Sequence, residues 1–311
     1  MDGDMATLLR LAVRRIGLPA ALFFSVLCLS GCASLFFLPQ SQWLQNPANQ
    51  GLAYEDVVLI HADGERVHGW WLPAEGTVRG TVYFLHGNAE NISTHLLSVQ
   101  WLPARGFNVL LVDYRGYGLS DGKASVRRAS EDVQLGLDWL RGSGRLGGDP
   151  LIVFGQSLGG SLAIPVLAAE KNHGRYDCLI AEAPFAGYRR IVSDVMRRQW
   201  LLWGLRPLLL PWQPGGPDPI DHIGSLRAPL LLLHSRADQV VPFSHAELLL
   251  AQAPAASQLE EVSGGHIAAL RHDPVRDRLI DFIEAACRAG YSRPAADDQP
   301  ADVPARRKLV F

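Results

Sequence analysis

Residues 151–160 put a serine where a hydroxyl can be made to react. An apolar, β-branched run at 151–154 leads into Gly155-Gln156-Ser157-Leu158-Gly159-Gly160, and an apolar, alanine-rich segment follows to Glu170. That pattern predicts a strand, a sharp turn and a helix, with Ser157 at a strained bend beside the N–H groups of the opening helix. Gly155 and Gly159 are small because strand and helix pass close together at such an elbow. A hydroxyl is a weak nucleophile near neutral pH, so it needs a base, and the base needs an acid to orient it. Asp238 lies on a loop after the apolar run 230–233, and His266 closes Ser263-Gly264-Gly265-His266 after the run 258–262. Serine, acid and histidine in that order, each at the end of a predicted strand, are the parts of acyl transfer through a covalent serine intermediate.

These residues need a sheet to carry them. Apolar runs predict strands at 57–60, 67–72, 81–85, 108–112, 151–154, 178–181, 230–233 and 258–262. The first two pair across Asp63-Gly64 as an antiparallel opening hairpin. The others alternate with helices at 93–104, 126–141, 161–169, near 188–210, 242–251 and 274–289. Such alternation implies a mainly parallel sheet covered on both faces, with reactive groups at the carboxyl ends of its strands. Other titratable residues take ordinary parts. His86 reads as a structural loop histidine, His234 as packed or bonded to loop backbone, and Asp113 as holding the Arg115-Gly116-Tyr117-Gly118 turn. Glu182 ends the strand 178–181 and competes with Asp238 as the acid. Asp121, Asp149, His222, His245 and His272 read as surface or capping residues.

Five motifs carry a resemblance: Phe84-Leu85-His86-Gly87-Asn88-Ala89-Glu90-Asn91, Asp113-Tyr114-Arg115-Gly116-Tyr117-Gly118-Leu119-Ser120, the elbow around Ser157, Arg236-Ala237-Asp238 with Val241-Pro242, and Gly264-Gly265-His266. Over residues 54–288 the chain resembles an α/β-hydrolase. It is similar to a branch that includes bacterial membrane-anchored hydrolases and the eukaryotic serine hydrolases that remove palmitate from proteins. The resemblance implies an eight-stranded, mostly parallel sheet with helices on both faces and a small cap after the sixth strand, at about 186–223. It favours Asp238 over Glu182, because this branch places its acid one strand later. It also implies an oxyanion hole made by the backbone N–H groups of Leu158 and Asn88. Trp200, Trp203 and Trp212 fall in the cap. An apolar cap suits an acyl chain or a bilayer, and the same spacing equally buries a helix on the body.

The amino terminus speaks to location. Arg10, Arg14 and Arg15 precede an apolar run at 16–29 that ends in Leu29-Ser30-Gly31-Cys32. This is the layout of a secretory signal, and its last four residues resemble a bacterial lipobox with Cys32 lipidated. Ala33 in place of aspartate leans towards the outer membrane. An uncleaved anchor over 16–38 is the alternative, and both readings put the catalytic domain outside the cytoplasm. The expected organisation is a signal at 1–31, a membrane-proximal linker at 32–53, a catalytic domain at 54–290 and a disordered tail at 291–311.

A net charge of −2 gives no reason to expect nucleic acid as a partner. No cofactor is implied, and no cysteine or histidine spacing suggests a metal. Beyond Cys28 and Cys32 only Cys178 and Cys287 remain. They are expected as two separate buried thiols, with a disulfide geometrically conceivable in an oxidising compartment. The expected function is ester or thioester hydrolysis of a small or acyl-bearing substrate. The alternatives are a peptidase or amidase of the same fold, and a non-catalytic envelope binding protein on a hydrolase scaffold.

Overall fold

The computed structural model describes residues 37–198 and 215–287 and the backbone of Lys308–Leu309. Eight strands form one sheet: β1 (Glu55–Ile60), β2 (Arg66–Leu72), β3 (Gly80–Leu85), β4 (Phe107–Val112), β5 (Leu151–Gln156), β6 (Cys178–Glu182), β7 (Leu230–Ser235) and β8 (Gln258–Val262). Their order across the sheet is β1-β2-β4-β3-β5-β6-β7-β8. Strand β2 is antiparallel to both its neighbours, and every other pairing is parallel. The expected eight-stranded, mostly parallel sheet is therefore present. Lys308–Leu309 adds a two-residue ninth strand beside Leu259 and Glu260. The rest of the expected tail at 291–311 lies outside the described residues.

Five helices of nine residues or more cover the sheet among the described residues: α1 (Val126–Gly142), α2 (Leu158–Ala168), α3 (Tyr188–Arg198), α4 (Ser244–Gln252) and α5 (Asp273–Ala286). Side chains alternate between faces along a strand, so one strand feeds two cores. In β3, Tyr83 and Leu85 pack with Val133 and Leu137 of α1 and Leu162 of α2. Val82 and Phe84 pack on the other side with Leu279 and Ile283 of α5. Full burial of each such side chain is worth about 1.5–3 kcal/mol.

Two expectations change. The helix expected at 93–104 is one turn, Ile92–His95, followed by 3-10 turns at Leu96–Ser98 and Pro103–Arg105. Gln156 and Trp101 bond the side chain and carbonyl of Ser98, which tightens the chain there, and Pro103 donates no N–H. Cys178 and Cys287 are not separate thiols but a disulfide, with Cα atoms 5.2 Å apart. Cys178 opens β6 and Cys287 caps α5, so one bond joins the sheet to its last helix at the amino end of the sheet.

Of the expected cap, α3 and the turn Pro219–His222 are described, and they are closed at the base by Tyr188 N–H donating to Asp218 at 2.8 Å. His245, read as a surface or capping residue, is buried there. Its Nδ1 accepts from Ala186 N–H, and its Nε2 donates to Asp194. The signal, Cys32, Trp200, Trp203 and Trp212 lie outside the described residues. Among the described residues no helix is long and apolar enough to cross a membrane, and no cluster of His, Cys, Asp or Glu could hold a metal ion.

Candidate active site

The turn between β5 and α2 holds Ser157 at φ 51° and ψ −111°, a conformation costly for a residue with a Cβ. The flanking glycines make the turn possible. A Cβ on Gly159 would stand 2.1 Å from the Leu85 carbonyl oxygen, and one on Gly155 would stand 2.4 Å from Gly160 N. The bend is secured from behind, where Ser157 N–H donates to the Glu182 carbonyl at 2.8 Å.

His266 Nε2 lies 3.0 Å from Ser157 Oγ, and its Nδ1 lies 2.8 Å from Asp238 Oδ2. A carboxylate only accepts, so Nδ1 carries the proton and Nε2 is free to accept from the serine hydroxyl. Asp238 is buried, and burial alone would push its carboxyl up. The bond from His266 and two backbone N–H groups, Val240 at 2.7 Å and Val241 at 2.9 Å, outweigh this and hold it below the ordinary value. The loops are tied to one another as well, since Ser235 Oγ donates to the Gly264 carbonyl. Ile267, next to the histidine, sits at φ 48°, rare for a β-branched residue.

Glu182 takes no part in the hydrogen bonds that link Ser157, His266 and Asp238. Its carboxylate accepts from Gln156 Nε2 at 2.6 Å and from Ala269 N–H at 2.9 Å, and burial pushes its value up. Gln156 in turn reaches His95 Nδ1 at 3.2 Å and Ser98 at 3.0 Å, and His95 Nε2 faces the Ala89 carbonyl. A buried chain thus links the end of β6, the residue before the nucleophile, the loop after His266 and the loop after β3. Sequence reasoning missed His95 and the Gln156 side chain, because neither belongs to a spacing rule.

The loop after β3 passes close to the serine. A Cβ on Gly87 would lie 3.8 Å from Ser157 Cβ. His86 Nδ1 donates to the Gly87 carbonyl at 2.7 Å, and in a trans peptide this sends the Asn88 N–H the opposite way. The Asn88 carbonyl is pinned by Tyr117 Oη at 2.7 Å and by Leu38 N–H at 3.0 Å. Leu158 opens α2, so its N–H has no partner inside the helix. Of the two residues expected at the oxyanion hole, Leu158 follows Ser157 directly and Asn88 lines the same cavity as Ser157. His234 donates to the Val241 carbonyl, as its backbone-bonded reading expects. Asp113 departs from its reading. Its carboxyl accepts from Ile92 N–H, while the 115–118 turn is held by Ser120 Oγ on the Asp113 carbonyl oxygen and by Arg115 on Asp132. Ser157, His266, Gly87, Asn88, His95 and Arg271 share one cavity of about 430 Å³.

Comparison with known proteins bears on the family and the fold. The model of the serine aminopeptidase S33 family of hydrolases matches residues 76–221. The Escherichia coli (strain K12) protein YfhR is 33% identical over 240 residues, covering 75% of this chain and 81% of that protein. The α/β-hydrolase domain-containing protein WAV2 of Arabidopsis thaliana is 32% identical over 239 residues, covering 71% of this chain and 75% of WAV2. The chain belongs to the α/β-hydrolase superfamily. Solved hydrolases share its fold at lower identity. The Pyrococcus furiosus esterase Pf2001 superposes with a TM-score of 0.67 at 22% identity, over 81% of this chain and 98% of Pf2001. An esterase from Exiguobacterium antarcticum gives 0.57 at 18% identity, over 74% and 100%.

Proposed function

We propose that this hydrolase cleaves carboxylic ester or thioester bonds through an acyl-enzyme on Ser157. The observation that carries the reading is the continuous hydrogen-bonded chain from Ser157 Oγ through His266 to Asp238 at a strained turn inside a cavity. His266 takes the hydroxyl proton as Ser157 attacks the carbonyl carbon, and the N–H groups of Leu158 and Asn88 stabilise the negative oxygen. The imidazolium gives that proton to the departing alkoxide or thiolate. Water then repeats the sequence on the acyl-serine, with His266 again as base, and releases the acid.

The protein works, in this reading, outside the cytoplasm on a membrane, held through Cys32. The arginine-flanked apolar run before Cys32 supports the anchor. The Cys178–Cys287 disulfide supports an oxidising compartment. An outer-membrane or periplasmic position is favoured by Ala33. A second reading, removal of amino-terminal residues from peptides, is favoured by the description of the matching family model.

The test is labelling with a fluorophosphonate probe and turnover of nitrophenyl esters of increasing acyl length, with aminoacyl nitroanilides alongside. Wild type should label and turn over esters, and Ser157→Ala should lose both, turnover by roughly a thousandfold or more. Ester turnover that survives in Ser157→Ala would sink the mechanism, and preference for the anilides would install the peptidase.

A further inference from the structure

Residues 37–53, the described part of the segment read as a linker from the membrane, do not hang free of the domain. From Phe37 onward the chain is laid along the loop that carries Gly87 and Asn88. Leu38–Pro39 pair in parallel with Ala89–Glu90, and Gln40 N–H donates to the Glu90 carbonyl at 3.1 Å. Asn91 Nδ2 holds the carbonyls of Gln40 and Gln42 at 3.0 and 2.8 Å, and Leu44 N–H donates to Ser93 Oγ at 3.0 Å. Trp43 packs on Trp70 at 4.9 Å between ring centres, and Phe37 is buried beside Tyr117. Gln45 reaches the cavity that holds Ser157 and His266. The strap thus runs beside the cavity and contributes Gln45 to its lining.

Cys32 lies five residues before Phe37, so backbone reach alone keeps the two within about 18 Å. Four leucines are exposed among the described residues, two within the strap, Leu38 at 53% and Leu44 at 60%, and two elsewhere, Leu97 at 45% and Leu119 at 54%. Leu97 lines the cavity, and Leu119 follows Gly118, whose N–H donates to the Gln40 carbonyl at 2.9 Å. Single exposed leucines are ordinary on a protein surface, but two on the strap, one in the cavity lining and one next to a residue bonded to the strap make an apolar rim along it.

We propose that the leucine rim around the strap docks on the bilayer to which Cys32 tethers the chain, so that the cavity opens against lipid and takes an ester carried by the membrane. The inference rests on the proposed anchor at Cys32 and the proposed nucleophile Ser157. A strap this short leaves little room for the mouth to turn away from the surface, and leucine side chains gain by leaving water at the headgroup boundary.

The test uses the full-length protein with phosphatidylcholine vesicles and three readouts: co-flotation, hydrolysis of nitrophenyl butyrate in water, and hydrolysis of nitrophenyl palmitate dissolved in the vesicles. Leu44→Glu with Leu119→Glu should float and cleave butyrate as wild type does, and should lose about tenfold on the vesicle-borne ester. An unchanged ratio of palmitate to butyrate turnover would overturn the proposal. A second measurement, independent of turnover, places an environment-sensitive nitrobenzoxadiazole label on Leu119→Cys. Its emission should move to the blue on vesicles. The same label on Val78→Cys, before β3 at the opposite end of the sheet, should not move. Equal behaviour of the two labels would also overturn the docking face. Wild type that fails to float removes the anchor and this inference with it, whereas wild type that floats but cleaves no butyrate removes the hydrolase reading. Those two failures are told apart from each other and from failure of the rim.

Discussion

Burial sets the protonation of the polar residues behind Ser157. His86 is pushed well below the ordinary imidazole value, and Asp113, 3.6 Å from it, is pushed up to about 8. Both are then neutral near pH 7, which suits a carboxyl whose Oδ2 has no hydrogen-bond partner in the described structure. The folded-state value of Asp113 lies above the 3.8 of an ordinary aspartate. Between those values the folded protein therefore keeps a proton that the unfolded chain has released. Stability falls as pH rises through that window, by on the order of a few kcal/mol. Asp113→Asn keeps an acceptor for Ile92 N–H and removes the titration. Its denaturation midpoint should drop less between about pH 5 and pH 8 than that of wild type. A wild-type slope in the variant would show that the carboxyl is ionised in the folded state. At this scale the sequence pointed to Ser157, Asp238 and His266, because each follows an apolar run with turn residues. It could not point to His95 or Glu182 as partners of Gln156, since contacts across 61 and 26 residues leave no local pattern.

The elbow is the element that can least tolerate change. Gly159→Ala would drive a methyl into the Leu85 carbonyl, whose neighbours are locked in the middle of the sheet. The expected result is a loss of about 3 kcal/mol or more in stability, with ester turnover falling alongside. Gly142→Ala, at the end of α1 with open space around it, should instead be neutral or stabilise by up to about 1 kcal/mol. Comparable denaturation midpoints for the two variants would refute the close-approach argument. Strand bounds were legible because a buried parallel strand is a short continuous apolar run. The 92–105 segment was not. Its apolar spacing suits a helix, but Pro103 and the bonds to Ser98 break it into turns.

On the scale of the whole molecule, the Cys178–Cys287 bond ties β6 to the last helix across 109 residues. It joins the start of β6, whereas Glu182 at the other end of that strand backs the candidate site. Reduction, or Cys287→Ser, should therefore cost about 2–4 kcal/mol of stability while leaving turnover of nitrophenyl esters unchanged well below the melting temperature. Equal denaturation midpoints with and without reductant would show that the bond does not stabilise the protein. The sheet and helices carry their own cores on both faces, so activity is expected to survive the loss of this link.

Sequence alone determined the succession of strands along the chain, the two-faced sheet and the loops that bear Ser157, Asp238 and His266. Each of these is written in a short window, as an apolar run, a turn residue or a glycine where backbones must touch. Only the tertiary structure decided that Cys178 meets Cys287, that Asp113 serves Ile92 rather than the following turn, and that the segment from Phe37 onward pairs with the loop after β3 and reaches the cavity through Gln45. Those are pairings between distant parts of the chain. They are chosen by how the layers pack, which no single window of sequence encodes.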